Sequence, residues 1–385
     1  MPIDNDKFKN ARYAPLSREE VIAHIEGRGT GRPPFLASVI LWRPDLLEDK
    51  EKGEAEAKLL ELYPEDVQCF EYTRPKNFGL PGEYCWIDVP GADPALYRDP
   101  GVTVGIDEET AVSWEIINQT GDNTPDPYLP KSLVQDYEEA DGRYRMIFWT
   151  RCSFERIWHY RGMKNTLLDF YLEKDNLKKL LAKLLNIHKR AIDRAADEYH
   201  FDAWAMTDDI GTQERPFFSE EIFIEFIKPV YTELFAYAHK KGMHVWLHTC
   251  GNIEAFIPHM IEARLDVLHP IQKYTMDEKQ IIEKYKDKIC FWAGMDVQRT
   301  MPFGTAEEVR QETRFMIDNY YLPGKGRLVL GPGNRMTVAD IPYENVLAFL
   351  DESRRYGTEV AIRGKSGNNL SPFAEKEKAY QKNQG

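Results

Sequence analysis

The residues of this chain best suited to chemistry close its apolar runs. In Gly242-Met-His-Val-Trp-Leu-His248-Thr-Cys250-Gly251 an apolar stretch ends in an imidazole and, two residues on, a thiol. Side chains at i and i+2 of a strand project to the same side, so His248 and Cys250 can reach one divalent ion while Gly251 lets the chain turn away. Zinc accepts imidazole and thiolate together, and a catalytic zinc keeps three protein ligands so that substrate can take the fourth position. A second Cys/His pair of zinc-ligand spacing is not evident, so the two residues form an incomplete set, and an incidental polar pair at a buried strand end is the competing reading.

Asp208 and Asp209 close another run, Ala203-Trp-Ala-Met. Two acids there are costly if merely buried, and they are expected to supply a metal ligand, a partner that orients His248, or a general base, with helix capping as the alternative. Arg151 closes a third run; it is expected to hold an anionic substrate group by its bidentate fork, or else to pair with Asp208 or Glu155. Its neighbour Cys152 is either a third ligand or a packed thiol.

These positions converge only if the runs are strands of one sheet. Short apolar segments alternate with amphipathic helical patterns, which predicts βα units and a parallel sheet. The expected strands are Pro34–Trp42, Tyr84–Val89, Arg143–Arg151, Ala203–Asp208, Met243–His248, Leu265–Pro270, Ile289–Gly294 and Gly326–Leu330. Helices are expected over Asn176–Tyr199, with Leu177, Leu180, Leu181, Leu184 and Leu185 on one stripe, and over Ser219–Lys241, kinked by Pro229. Further helices are expected near Ile253–Ala263, Asp277–Lys286, Thr305–Tyr320 and Ile341–Tyr356. The pattern predicts an α/β fold, a TIM barrel forming a single domain over 1–385. The Gly, Pro, Asp and Asn-rich stretch 64–137 is expected to be an insertion, a lid or hairpin over the mouth.

Chemistry in such a barrel sits at the carboxyl ends of the strands. Besides the residues above, Trp42-Arg43, His269 with Gln272, Asp296 with Gln298, and Asn334-Arg335 close or follow strands. Trp42, Arg43, Gln272, Asp296 and Asn334 are therefore the expected substrate-binding residues, Asp208, Asp209 and Arg151 the expected catalytic ones, and His248 and Cys250 the expected metal ligands. Cys290 begins its strand and is expected at the opposite face.

Composition narrows the partners. The chain has 385 residues, 42% of them hydrophobic, with 8 Trp, 20 Tyr and 19 Phe, which supplies ample core. A net charge of -13 argues against wrapping nucleic acid. Five cysteines in no framework spacing fit free thiols in a reducing cytosol. No apolar run approaches the roughly 20 residues of a membrane span, and the polar N-terminus carries no signal-peptide pattern. No Walker-type loop or GxGxxG run is present.

Several local patterns together resemble one family. They are Arg18-Glu-Glu-Val-Ile-Ala ahead of Arg32-Pro-Pro-Phe; Asp208-Asp209-Ile-Gly with Phe223, Phe226, Pro229 and Tyr231; His248-Thr-Cys-Gly-Asn252; and Leu330-Gly-Pro-Gly followed by Ile341-Pro-Tyr-Glu-Asn-Val. Over about Arg18 to Gly357 the chain resembles the uroporphyrinogen decarboxylase superfamily, which implies a TIM barrel. Within that superfamily it looks closest to the zinc methyltransferases that move methyl groups between a corrinoid protein and a small acceptor. His248 and Cys250 match their HxC pair, while Pro332 stands where those enzymes place a cysteine and the decarboxylases a histidine. The resemblance implies zinc, methylcobalamin carried by a corrinoid partner protein, a small methylated substrate and an O-demethylase type of reaction. The third ligand is then sought among Asp208, Asp209, Cys152, Asp296 and Asn334.

The alternative within the family is a cofactor-independent tetrapyrrole decarboxylase, in which Asp208 protonates and stabilises a ring intermediate while Arg43 and Arg151 hold carboxylates. Of the paired arginines those enzymes carry, Val39-Ile-Leu-Trp-Arg43 keeps the second alone, and they lack the HxC pair. A non-catalytic metabolite-binding barrel is the third reading. A cytoplasmic monomer or homodimer, without nucleic acid or membrane partners, is expected.

Overall fold

Strands buried on both faces are written as nearly continuous apolar runs, and the parallel sheet here is built from such runs. The computed structural model describes residues 2–37, 44, 47–72, 113–121, 134, 137–334, 336 and 341–365. Its strands are β1 (Val67–Glu71), β2 (Tyr144–Trp149), β3 (Ala203–Thr207), β4 (His244–His248), β5 (Val267–His269), β6 (Cys290–Met295) and β7 (Leu328–Pro332), each parallel to the next in chain order. Phe35 bridges in parallel to Leu330 of β7, and the Asp66 N–H donates to the Phe35 carbonyl at the start of β1. The segment 34–37 thus stands between the last strand and the first, and the fold is a TIM-like α/β barrel, as expected.

Six of the expected strands recur as β2 to β7 with shifted ends. The first is present as the Phe35 bridge, its remainder from 38 to 42 lying outside the described residues, as does Tyr84–Val89. In its place Val67–Glu71, counted within the stretch 64–137, is a barrel strand pairing with β2. Its sequence VQCFE is interrupted by Gln68 and Glu71, so it lacks the continuous apolar signature of its neighbours. Residues 73–112 and 122–133 of that stretch lie outside the described residues.

Alternation along each strand divides the core in two. Met146 and Phe148, Ala203 and Ala205, Trp246, Val267, Cys290 and Trp292, and Val329 fill the barrel interior, capped below by Leu16, Val21 and Ile25 around the helix Arg18–Ile25. Their neighbours Ile147, Trp149, Trp204, Met206, Val245, Leu247, Leu268, Phe291 and Leu330 pack outward against the helices. The helix Lys174–Asp197 buries the whole predicted leucine stripe, each leucine stabilising by about 1.5–3 kcal/mol. Continued one step up, the inward alternation places Thr207, His248 and His269 in one polar layer, in register across β3, β4 and β5.

The helical body Glu220–Lys240 contains a widened turn over Phe223–Ile227, where the Lys228 N–H bonds to the Phe223 carbonyl five residues back. Pro229 lacks an N–H and its ring would crowd the Glu225 carbonyl in an unbroken α-helix, so the distortion expected at Pro229 is taken up in the turn before it. A buried carboxylate holds the base of the barrel. Asp66 accepts from Leu16 N and Arg32 Nη2 on one oxygen and from Arg32 Nη1 and Phe35 N on the other, all at 2.7 Å. Burial opposes its ionisation, but Arg32 and the neighbouring Arg354 hold its carboxyl below the usual range. No helix among the described residues is long and apolar enough to cross a membrane.

Candidate metal centre

At the top of β4, three electron-pair donors face one another. His248 Nε2 lies 3.3 Å from Cys250 Sγ and 3.8 Å from Asp209 Oδ1, and the ligand atoms of all three residues lie within 4.8 Å of one another. A tetrahedral zinc held by nitrogen, sulfur and oxygen at about 2.0–2.3 Å has ligand-to-ligand edges of roughly 3.3–3.8 Å, so the donor set fits that ion. Asp209, rather than Cys152, Asp208 or Asp296, is the acid or thiol that joins the His/Cys pair.

The loops after β3 and β4 hold the three in place by interlocking. The Cys250 N–H donates to Asp209 Oδ1 at 2.7 Å, which turns that carboxylate toward the thiol. Asp208 N–H donates to the His248 carbonyl, and Ile210 N–H to the Thr249 hydroxyl. Gly251 has φ +86°, and a Cβ there would collide with the Gly211 backbone, so the two loops touch main chain to main chain. Gln272 accepts the Gly251 N–H at 2.6 Å, and Asn334 Nδ2 donates to Cys250 Sγ at 3.4 Å. These two expected substrate residues therefore brace the thiol loop.

His248 is oriented from behind. Its Nδ1 lies 2.7 Å from His269 Nδ1, and His269 Nε2 lies 3.0 Å from the Pro332 carbonyl oxygen. Burial first, and then the nearby His248, keep His269 well below the usual imidazole range, so its ring is neutral. Trp292 stacks on it at 3.9 Å and is itself anchored by donating Nε1–H to the Leu36 carbonyl. A Cβ on Gly331 would strike Trp292, so glycine leaves room for that ring. Burial, followed by the charges of Asp209 and Glu155, pushes the Cys250 thiol well up.

The remaining expected residues have other partners. Asp208 is fully buried and accepts from Ser153 Oγ, Phe154 N, Glu155 N and Tyr231 Oη, so it anchors the start of the helix Phe154–Arg161. Asp296 accepts from Gln298 N and Arg299 N and from Tyr274 Oη, closing the loop after β6. Cys152 is buried in the outer core. Arg151 has φ +64°, an uncommon conformation for a residue with a side chain, and its N–H donates to Thr207 Oγ1. Trp42 and Arg43 lie outside the described residues.

Glu155, which the sequence offers only as a possible ion-pair partner of Arg151, belongs to the site as well. Folded, it is buried and accepts the Thr207 hydroxyl at 2.6 Å. Burial, then the charges of Asp209 and Asp208, push its carboxyl up to about 8. The signal in sequence is its place four residues beyond a strand-closing arginine; nothing local marks it as buried.

Three comparisons bear on this chain. A family model described as uroporphyrinogen decarboxylase (URO-D) matches residues 150–356, more than half of the sequence. No curated protein matches. Among solved structures, a methyltransferase from Methanosarcina mazei aligns at 15% identity and a TM-score of 0.46, covering 65% of this chain and 68% of that one. An endo-beta-1,4-xylanase from Gloeophyllum trabeum aligns at 9% identity and 0.44, covering 86% and 99%. With identities this low, the chemistry of the mouth has to be read from its own residues.

Proposed function

The chain belongs to the uroporphyrinogen decarboxylase family, and from that premise we propose that it is a metal-assisted methyltransferase, acting with a corrinoid protein in the O-demethylation of a small methylated compound. The observation that carries this reading is the convergence of Asp209, His248 and Cys250 at the carboxyl ends of the strands. Those three residues would hold zinc, which when bound supplies Lewis acidity toward an ether oxygen. A carboxylate in the third position makes the set harder than a thiolate-rich one and suits oxygen substrates.

The chain's own residues divide the remaining work. When the ether carbon–oxygen bond breaks, its electron pair stays on oxygen, which needs a proton. Glu155 is the residue we assign to supply that proton, since burial and the charges of Asp209 and Asp208 push its carboxyl up in the metal-free chain. It accepts the Thr207 hydroxyl and lies within electrostatic reach of Asp209 and Cys250. Gln272 and Asn334 hold the thiol loop still, and Arg151, whose charge reaches Glu155, is the residue we assign to an anionic group of the substrate.

Metal-free purification followed by zinc reconstitution tests the reading. One tightly held zinc per chain is expected, lost in His248→Ala, together with methyl transfer from an aryl methyl ether to added cob(I)alamin followed by absorbance. Absence of zinc uptake would overturn it, and release of carbon dioxide from uroporphyrinogen by the metal-free protein would replace it with the decarboxylase reading.

A further inference from the structure

We propose that His269 is a positioning residue that sets the tautomer of His248: it donates Nε2–H to the Pro332 carbonyl and presents a bare Nδ1 to His248, so that the electron pair of His248 Nε2 faces Cys250 and Asp209. The inference rests on the reading of these residues as a metal centre, but the relay itself is a property of the metal-free chain.

The argument follows from what each atom can do. A backbone carbonyl only accepts, so at 3.0 Å from it His269 Nε2 must carry a proton. Among the described residues the His269 ring meets His248, the Pro332 carbonyl and the Trp292 face and no carboxylate, so nothing there balances a second proton; with a single N–H, its Nδ1 is an acceptor. The 2.7 Å contact between the two Nδ1 atoms then requires His248 to donate, and a neutral His248 is left with its lone pair on Nε2. That nitrogen is 3.3 Å from Cys250 Sγ and 3.8 Å from Asp209 Oδ1. Metal-bound histidines in proteins are usually fixed through the other ring nitrogen by a carboxylate, carbonyl or water. Here the fixing group is a second histidine, and the ultimate acceptor is a main-chain oxygen.

That acceptor is rigid. Pro332 ends β7 in register with Met295 of β6, and the Gly333 N–H donates to the Met295 carbonyl just beyond it. Trp292, stacked on His269, prevents the ring from swinging away. Pro332, at the end of β7, contributes a backbone oxygen that acts through His269.

The test uses the full-length metal-free protein with 15N/13C-labelled histidine. The expected result is a protonated Nδ1 and an unprotonated Nε2 on His248; a proton on Nε2 overturns the relay. His269→Gln supplies an amide oxygen toward His248 and an NH2 toward Pro332, and is expected to keep the tautomer and hold zinc affinity within about threefold, whereas His269→Leu should lose both, with affinity down about 10- to 100-fold. Equal zinc affinity and an unchanged His248 tautomer in His269→Leu would also overturn it. Protonated Nδ1 without any zinc uptake would support the relay while removing the metal reading, so the two failures are distinguishable; if the leucine variant does not fold, the wild-type tautomer and the glutamine variant still decide.

Discussion

The base and the mouth of this barrel both bury charged groups, and they treat them in opposite ways. At the base, Asp66 accepts four hydrogen bonds from Arg32, Leu16 and Phe35, so each of its lone pairs has a donor. At the mouth, Asp209, His248 and Cys250 bring a carboxylate oxygen, an imidazole nitrogen and a thiol sulfur together, with the Asn334 amide and the Cys250 N–H as neutral donors at the edge. A saturated carboxylate locks strands together. A cluster of ligand atoms that gives up one thiol proton can take a cation, and the difference separates polar groups that serve stability from those that serve chemistry.

The strongest challenge to this contrast is Arg32→Ala. Leaving Asp66 buried without its partner should cost about 3–5 kcal/mol in urea denaturation, with zinc affinity of the folded protein unchanged. A loss below about 1 kcal/mol would mean that the base is no more committed to stability than an exposed ion pair. At the mouth the reverse is expected: Asp209→Asn or Cys250→Ser should alter stability by less than about 1 kcal/mol while lowering zinc affinity more than the roughly 100-fold that an outer partner costs, measured by chelator competition.

A subtler distinction lies in protons. Burial keeps the Cys250 thiol protonated, so metal uptake must release that proton, and zinc affinity should rise about tenfold per pH unit below the thiol's range. A flat profile would show that Cys250 does not ligate as thiolate. A further distinction concerns Glu155, whose burial is offset only in part by Thr207 and Arg151. Its folded value is raised above the ordinary 4.5 to about 8, so its protonated form favours the fold; that contribution is complete below 4.5 and is lost as pH rises through about 8. Glu155→Gln should flatten this decline in denaturation midpoints across that window, and an unchanged slope would place the titration elsewhere.

Much of this arrangement was legible along the chain. His248 and Cys250 could be read because i and i+2 at a strand end project together, and the parallel strands because apolar runs recur between helical patterns. Other features were hidden for identifiable reasons. Asp208 and Asp209 are adjacent, and side chains of neighbouring residues diverge, so composition could not say which one faces the thiol; four donors around Ser153 and Tyr231 claim Asp208. Strand β1 carries Gln68, Cys69 and Glu71 and so lacked the apolar run that marked its neighbours.

The sequence by itself determined the barrel's periodicity, the helix stripe and the identity of two metal-capable residues, because these depend on local repeats of side-chain direction. The tertiary structure alone decided that Asp209 completes the donor set and that His269, 21 residues from His248, stands behind it between Trp292 and the Pro332 carbonyl. Those contacts are products of register between separate strands and of loops locked against each other, and register is an outcome of packing the whole sheet that no single segment carries.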